Sequence, residues 1–188
     1  MRTLGVFNMM SLDGYFAGAD GDIGWFKDAD RDPEWDAFIA GNAGGGGMML
    51  FGRVTYELMH EFWTTPFAAE ALPVVAEAMN GLPKVVFSRT LDRATWNNTM
   101  LVKGNLEAEV RRMKNEPGPD MVILGSGSIV SQLTQAGLID DYRIVVFPVV
   151  IGRGRTMFEG VRENLSLKLT GTRTFGNGNI LLSYERTA

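Results

Sequence analysis

The chain has 188 residues, 45% hydrophobic and 21% charged, with a net charge of −4 and a pI near 5.1. This composition supports one packed domain, since about 100–200 residues per domain is usual, and argues against disorder and against the basic face of a nucleic-acid binder. Zero cysteines and one histidine, His60, exclude disulfides and thiolate chemistry and supply a metal centre or a Ser-His pair poorly, while no apolar run reaches the ~20 residues that span a bilayer. The expectation is a soluble, cytoplasmic chain with no metal, nucleic-acid or membrane partner.

Thr3 to Met10 is apolar at nearly every position and reads as a buried first strand, not a signal peptide. The stretch SLDGYFAGADGDIGWF, residues 11–26, mixes glycine, aspartate and aromatic residues and reads as a long irregular loop. Loops leaving buried strands often carry function. Asp13 is open to two readings, a carboxylate facing a pocket or a turn aspartate. Trp25 is likewise a cover for a flat ligand or a core aromatic.

Asp32-Pro33-Glu34 predicts a helix start, with Asp at the cap and Pro at the first position. Trp35, Phe38 and Ile39 give this helix an apolar face, and Gly41 to Gly47 predicts its end and a flexible loop. Met48 to Phe51 is a second buried strand, followed by Gly52-Arg53-Val54-Thr55. Val54, Leu58 and Phe62 recur at i, i+4, i+8, which predicts a helix burying that stripe. Arg53 stands in its first turn, where the helix dipole repels cations. An anionic ligand or a nearby carboxylate would each account for it. His60 reads as a surface or packing residue.

Residues 67–80 predict a helix broken or started by Pro73. Pro83 to Phe87 is a third strand, closed by Ser88-Arg89-Thr90, and Thr99 to Lys103 a shorter fourth. Leu106, Val110 and Met113 mark a helix, with Glu107 and Arg111 paired at i, i+4. Met121 to Leu124 is a strand that runs through Gly125-Ser126-Gly127-Ser128 into a helix carrying Ile129 and Leu133 and ending at Gly137. Such a turn points unpaired N–H groups outside the sheet edge, where a pyrophosphate fits; an ordinary tight turn fits equally. Asp141 to Gly152 is the longest apolar strand, with Pro148 at a bulge or an unpaired position. Leu165 to Phe175 and Asn179 to Glu185 flank Gly176-Asn177-Gly178 and predict a hairpin.

Three strands therefore end in polar turns, at Gly52-Arg53, Ser88-Arg89 and Gly125-Ser126-Gly127. In a parallel sheet these ends share one edge, where open α/β folds bind ligands. Two arginines and a helix N-terminus on one rim suit a phosphorylated ligand; Asp13 and Trp25 suit its reactive end.

Five segments in this order resemble the dihydrofolate reductase superfamily, closest to the reductase domain of the bifunctional riboflavin-biosynthesis deaminase-reductase. They are SLDGYFAG (11–18), FGRVTYE (51–57), VFSRT (86–90), ILGSGSIVSQL (123–133) and DDYRIVVFPVVIGRG (140–154). The resemblance implies a three-layer α/β fold, a mostly parallel twisted sheet with helices on both faces and antiparallel strands at the C-terminus. It implies an NADPH-dependent reductase acting on a small pterin-, pyrimidine- or ribosylamine-type substrate, dihydrofolate being an alternative. By this resemblance Gly52, Arg53 and Thr55 hold cofactor phosphates, and Ser88 and Arg89 meet the adenosine 2′-phosphate. Gly125, Ser126, Gly127, Ser128 and Ile129 form the pyrophosphate turn, and Asn8 and Met9 border the nicotinamide. Asp13 is the expected acid, with Glu34 and Asp36 in reserve and Asp36 and Trp25 on the substrate. Tyr142 and the Gly152–Arg155 loop are expected on the substrate side. The superfamily's cis Gly-Gly peptide corresponds to Gly125-Ser126 here. A rival reading is a nucleotide-binding module without turnover. The apolar C-terminal hairpin fits a homodimer, and core packing explains it equally well.

Overall fold

The structure, a computed structural model, describes residues 1–26 and 32–187. The eight strands of the main sheet are β1 (Leu4–Ser11), β3 (Met48–Gly52), β4 (Lys84–Phe87), β5 (Thr99–Val102), β6 (Met121–Leu124), β7 (Asp141–Phe147), β9 (Leu167–Thr174) and β10 (Ile180–Arg186). Their spatial order is β5-β4-β3-β6-β1-β7-β10-β9. The first six run parallel; β10 lies antiparallel to β7, and β9 to β10. Two short strands, β2 (Ala17–Gly18) and β8 (Gly154–Arg155), pair separately and tie the first loop to the 154–155 segment. The fold is the expected α/β one, mostly parallel with an antiparallel C-terminal edge.

Strand alternation sends apolar residues to both faces. Leu4, Val6, Leu50, Val85 and Ile123 pack beneath α5 (Leu106–Asn115) and α6 (Gly127–Gln135). Met49, Phe51 and Val86 pack on the opposite face against α2 (Arg53–Trp63) and α4 (Pro73–Gly81). An aromatic cluster of Phe7, Trp25, Trp35, Phe38 and Phe147 joins α1 (Pro33–Gly44) to the β1–β7 end of that face. Local signals account for the helix ends. The Asp32 carboxylate accepts the Glu34 N–H at 2.9 Å and starts α1. Gly137 closes α6 at φ +64°, its N–H reaching Thr134 O and that of Leu138 reaching Leu133 O.

Several expectations change. Helix α1 continues through Gly41 to Gly44, so only the last glycines form the loop. Residues 66–81 form two helices, α3 (Pro66–Ala71) and α4, with Pro73 opening the second. Strand β7 ends at Phe147 and not at Gly152, and Pro148 lies just beyond it, unpaired, as one of its two expected placements had it. Helix α2 is rotated from its expected face. It buries Tyr56, with Met59 and Trp63 beside it, while Val54 is 58% and Leu58 39% exposed. Tyr142 is buried, its hydroxyl 3.1 Å from that of Thr134 on α6.

Candidate active site

The chain steps from β1 outward through β3, β4 and β5, then returns to place β6 between β3 and β1 and β7 beyond β1. The helices that follow neighbouring strands β3 and β6 therefore leave in opposite directions and cover opposite faces. This is the topological switch point, where open sheets leave a crevice outside the strand ends. Register puts Gly52 beside Phe87, and Leu50 beside Ile123, so the turns after β3, β4 and β6 emerge on one rim. Arg53, Arg89 and Gly127 line one large groove that takes in this rim and extends to Thr3, Asp120 and Asp141 at the starts of β1, β6 and β7.

The crevice is braced by side chains from three elements. Ser126 Oγ accepts the Gly52 N–H at 2.9 Å and donates to Leu124 O at 3.2 Å. Thr55 Oγ1 accepts the Ser126 N–H at 3.0 Å. Asn8, 5% exposed, clasps Gly125 from both sides: its Oδ1 accepts the Gly125 N–H at 2.5 Å and its Nδ2 donates to Gly125 O at 3.1 Å. Within this brace Gly125 and Ser126 both have left-handed φ, +58° and +57°. A Cβ at Gly125 would stand 2.8 Å from Thr55 Cγ2, so glycine is required there on two counts. Ser126 bears the left-handed conformation at a cost of about 1–2 kcal/mol, offset by three hydrogen bonds that over-determine it. No cis peptide occurs among the described residues, so the Gly125-Ser126 bond is trans.

The remaining sequence-selected residues fall into distinct roles. Arg53 pairs with Glu57 at 2.9 Å, the carboxylate alternative for its place at a helix start. Ser88 Oγ accepts the N–H groups of Thr90 and Leu91 and shapes the turn that presents Arg89, which is exposed and has no carboxylate partner among the described residues. Ile129 is core, 3% exposed, with its Cδ1 3.6 Å from a Cβ position at Gly52. At Gly127 a Cβ would stand 2.7 Å from the Phe16 ring, so the absence of a side chain lets the first loop lie on the start of α6. The Gly127 and Ser128 N–H groups donate to nothing among the described residues and face the groove.

Asp36, exposed on α1, lines the same groove with Trp35, Val54 and Leu58. Asp13 lies outside it. Its carboxylate accepts the N–H groups of Gly152 at 2.7 Å and Ile151 at 3.3 Å, tying the first loop to the segment after β7. The Ser11 hydroxyl, together with those backbone groups, holds the Asp13 carboxyl below its ordinary range. Glu34 is engaged by Arg173 at 2.7 Å. Trp25 packs edge-on against Phe26 and Phe147, at 5.3 and 5.6 Å, inside the aromatic cluster. Sequence reasoning gave no role to Phe16, a groove residue, while Arg155, from the Gly152–Arg155 loop expected on the substrate side, lines the groove as well.

Residues 2–181 match the RibD C-terminal domain family. The chain belongs to that family. Among solved structures it resembles a candidate riboflavin biosynthesis protein from Shewanella sp. PV-4, at 22% identity and a TM-score of 0.76, with both chains covered in full. It resembles the Thermotoga maritima diaminohydroxyphosphoribosylaminopyrimidine deaminase/5-amino-6-(5-phosphoribosylamino)uracil reductase at 14% identity and a TM-score of 0.69, covering 99% of this chain and 57% of that one. Enterococcus faecalis dihydrofolate reductase, a structure complexed with NADP(H), aligns at 16% identity and a TM-score of 0.66 over 99% and 97% of the two chains. These likenesses establish a dihydrofolate-reductase-like fold for this RibD-family chain.

Proposed function

We propose that this chain is an NADPH-dependent reductase that delivers hydride to a C=N or C=O carbon of a small pterin-, pyrimidine- or ribosylamine-type substrate. One observation carries the reading. The turns after β3 and β6 are locked together across the switch-point crevice by Ser126 and Thr55, Asn8 of β1 clasps the second of them at Gly125, and open N–H groups of α6 and Arg89 line the groove beside them. That set fits a phosphorylated dinucleotide: N–H groups at a helix start suit its diphosphate, and a guanidinium suits a 2′-phosphate. Bound there, the cofactor supplies the hydride; the protein positions it and manages charge and protons.

The residues divide the work. Gly127 and Ser128 hold the diphosphate through backbone N–H, Arg89 reads the 2′-phosphate, and Asn8 and Met9 border the reacting ring. Asp36 is one of the carboxylates on the groove wall and the one on α1, assigned to substrate contact or proton transfer through water. Asp13 acts through the loop it holds, keeping residues 11–18 against the 151–155 segment. The apolar wall of Trp35, Val54 and Leu58 suits a flat ring.

The rival, dinucleotide binding without turnover, gains one observation: the Asp13 carboxylate is committed to backbone groups. The two separate in one experiment. NADPH is titrated into the protein by fluorescence, and NADPH absorbance is then followed with candidate pterins and ribosylamino-pyrimidines. Binding followed by decay that Asp36→Asn abolishes supports the reductase. Binding with no decay on any substrate class supports the rival, and no binding removes both.

A further inference from the structure

Arg155 stands in β8, a strand two residues long whose partner is β2 in the first loop. Its carbonyl accepts the Phe16 N–H at 3.0 Å, and its register partner is Ala17. The side chain is exposed, has no carboxylate partner among the described residues, and lines the groove near Gly127. The next residue places its carbonyl, Thr156 O, 3.4 Å from a Cβ position at Gly127, so the backbone of this segment abuts the start of α6.

The hydrogen-bond accounting of the turn shows what this arginine adds. Of the N–H groups from Gly125 to Val130, Gly125 gives its proton to Asn8, Ser126 to Thr55, and Ile129 and Val130 to Ser126 O. Among the described residues, those at Gly127 and Ser128 have no acceptor and remain for a ligand. Arg53, the cation expected to help, shares its charge with Glu57. A diphosphate carries two negative charges, and two neutral donors with half-compensated help leave most of that charge unmatched.

We infer that Arg155 is the cation that holds the diphosphate of the dinucleotide, and that this contact couples cofactor binding to placement of the first loop. The inference rests on the dinucleotide reading above. It follows from the strand pairing: the backbone that carries the guanidinium is hydrogen-bonded to Phe16, and Phe16 covers Gly127. A ligand that fixes Arg155 thereby fixes residues 16–18.

The test is equilibrium titration with NADPH and with NADH on wild type, Arg155→Ala, Arg155→Lys and Arg153→Ala. Both cofactors share the diphosphate, so Arg155→Ala is expected to weaken both by the same factor, about tenfold, the scale of one hydrogen bond to a charged group. Arg155→Lys should recover part of the loss and Arg153→Ala should change neither. Cleavage of the first loop by a protease should be slowed by NADPH in wild type and not in Arg155→Ala at equal occupancy. Unchanged affinity in Arg155→Ala, or a loss confined to NADPH, overturns the assignment, and equal protection of the loop in both proteins overturns the coupling. Wild type that binds neither dinucleotide removes the functional reading along with it.

Discussion

Ser126 Oγ accepts the backbone N–H of Gly52 at 2.9 Å, so one hydroxyl joins the ends of β3 and β6 across the crevice. Ser126→Ala removes that acceptor and keeps the left-handed backbone, leaving the Gly52 donor unpaired. The expected loss of unfolding free energy is about 1–3 kcal/mol. Ser126→Gly loses the same bonds and relieves the left-handed conformation, so it should lose less by about 1 kcal/mol. Urea midpoints at constant m-value measure both. A Gly variant less stable than the Ala variant would contradict the account of this turn.

Arg89 extends from a turn shaped by Ser88 and has no carboxylate partner among the described residues. Arg89→Ala should raise the dissociation constant of NADPH about tenfold or more while that of NADH changes little. The result separates this residue from Arg155, whose loss acts on both cofactors. Equal weakening would place Arg89 elsewhere than at the 2′-phosphate.

The Asp13 carboxylate joins the first loop to Ile151 and Gly152, and its pKa is depressed below the usual value near 3.9. A depressed carboxylate contributes its tie above the unfolded pKa and loses it as pH falls through the lower, folded one. Amide shifts of Ile151 and Gly152 should therefore hold steady from neutral pH to about 4 and move only below it. Asp13→Asn should flatten that titration. The same variant is expected to lower turnover about tenfold, because a misplaced loop costs orientation, and to weaken NADPH binding by about threefold or more through the coupling of the loop to Arg155.

Lys84, 1% exposed at the start of β4, donates to Met79 O, Asn80 O and Leu82 O at 2.7–3.2 Å and lies 4.6 Å from the Trp96 ring centroid. Burial pushes its pKa down to about 8. In the unfolded chain a lysine titrates near 10.4. Between these values the unfolded state binds the extra proton, so this group makes stability rise with pH from about 8 to 10.4. Lys84→Met should lack that rise. Thermal melts of both proteins at pH 7.5, 8.5 and 9.5 test it, and parallel curves would contradict the buried-ammonium assignment.

Helix α2 gives a direct test of orientation. The Tyr56 hydroxyl accepts the N–H groups of Thr95 and Trp96 at 2.9 and 2.8 Å. Tyr56→Phe leaves both donors without that acceptor and should cost about 1–3 kcal/mol. Val54→Lys, at a position 58% exposed, should stay within about 0.5 kcal/mol of wild type.

Tyr56 also shows where sequence reading reached its limit. Strands β1, β3, β4, β6 and β7 and the C-terminal hairpin announce themselves through unbroken apolar runs and turn residues, and the shared rim follows from parallel order alone. Helix α2 carries apolar residues on two sides: Val54, Leu58 and Phe62 on one, Tyr56, Met59 and Trp63 on the other. Spacing cannot rank two stripes when a groove, not the core, claims one of them. The extension of α1 past Gly41 was hidden for a different reason. Glycine weakens a helix by about 1 kcal/mol per residue, a cost that packing of Ile39 and Ala43 offsets in the folded chain. The bond partners of Asp13 and Asn8 lie 138 and 117 positions away, and no local pattern encodes them.

The clasp of Asn8, Thr55 and Ser126 around the turn after β6 is made wholly of protein groups. The cradle is thus stiff before any guest arrives, and little of the binding energy is consumed in shaping it. If the proposed dinucleotide binds there, its affinity should track charge and not its power to induce a fit, the turn serving as a rigid gauge while the loop above it is the adjustable part.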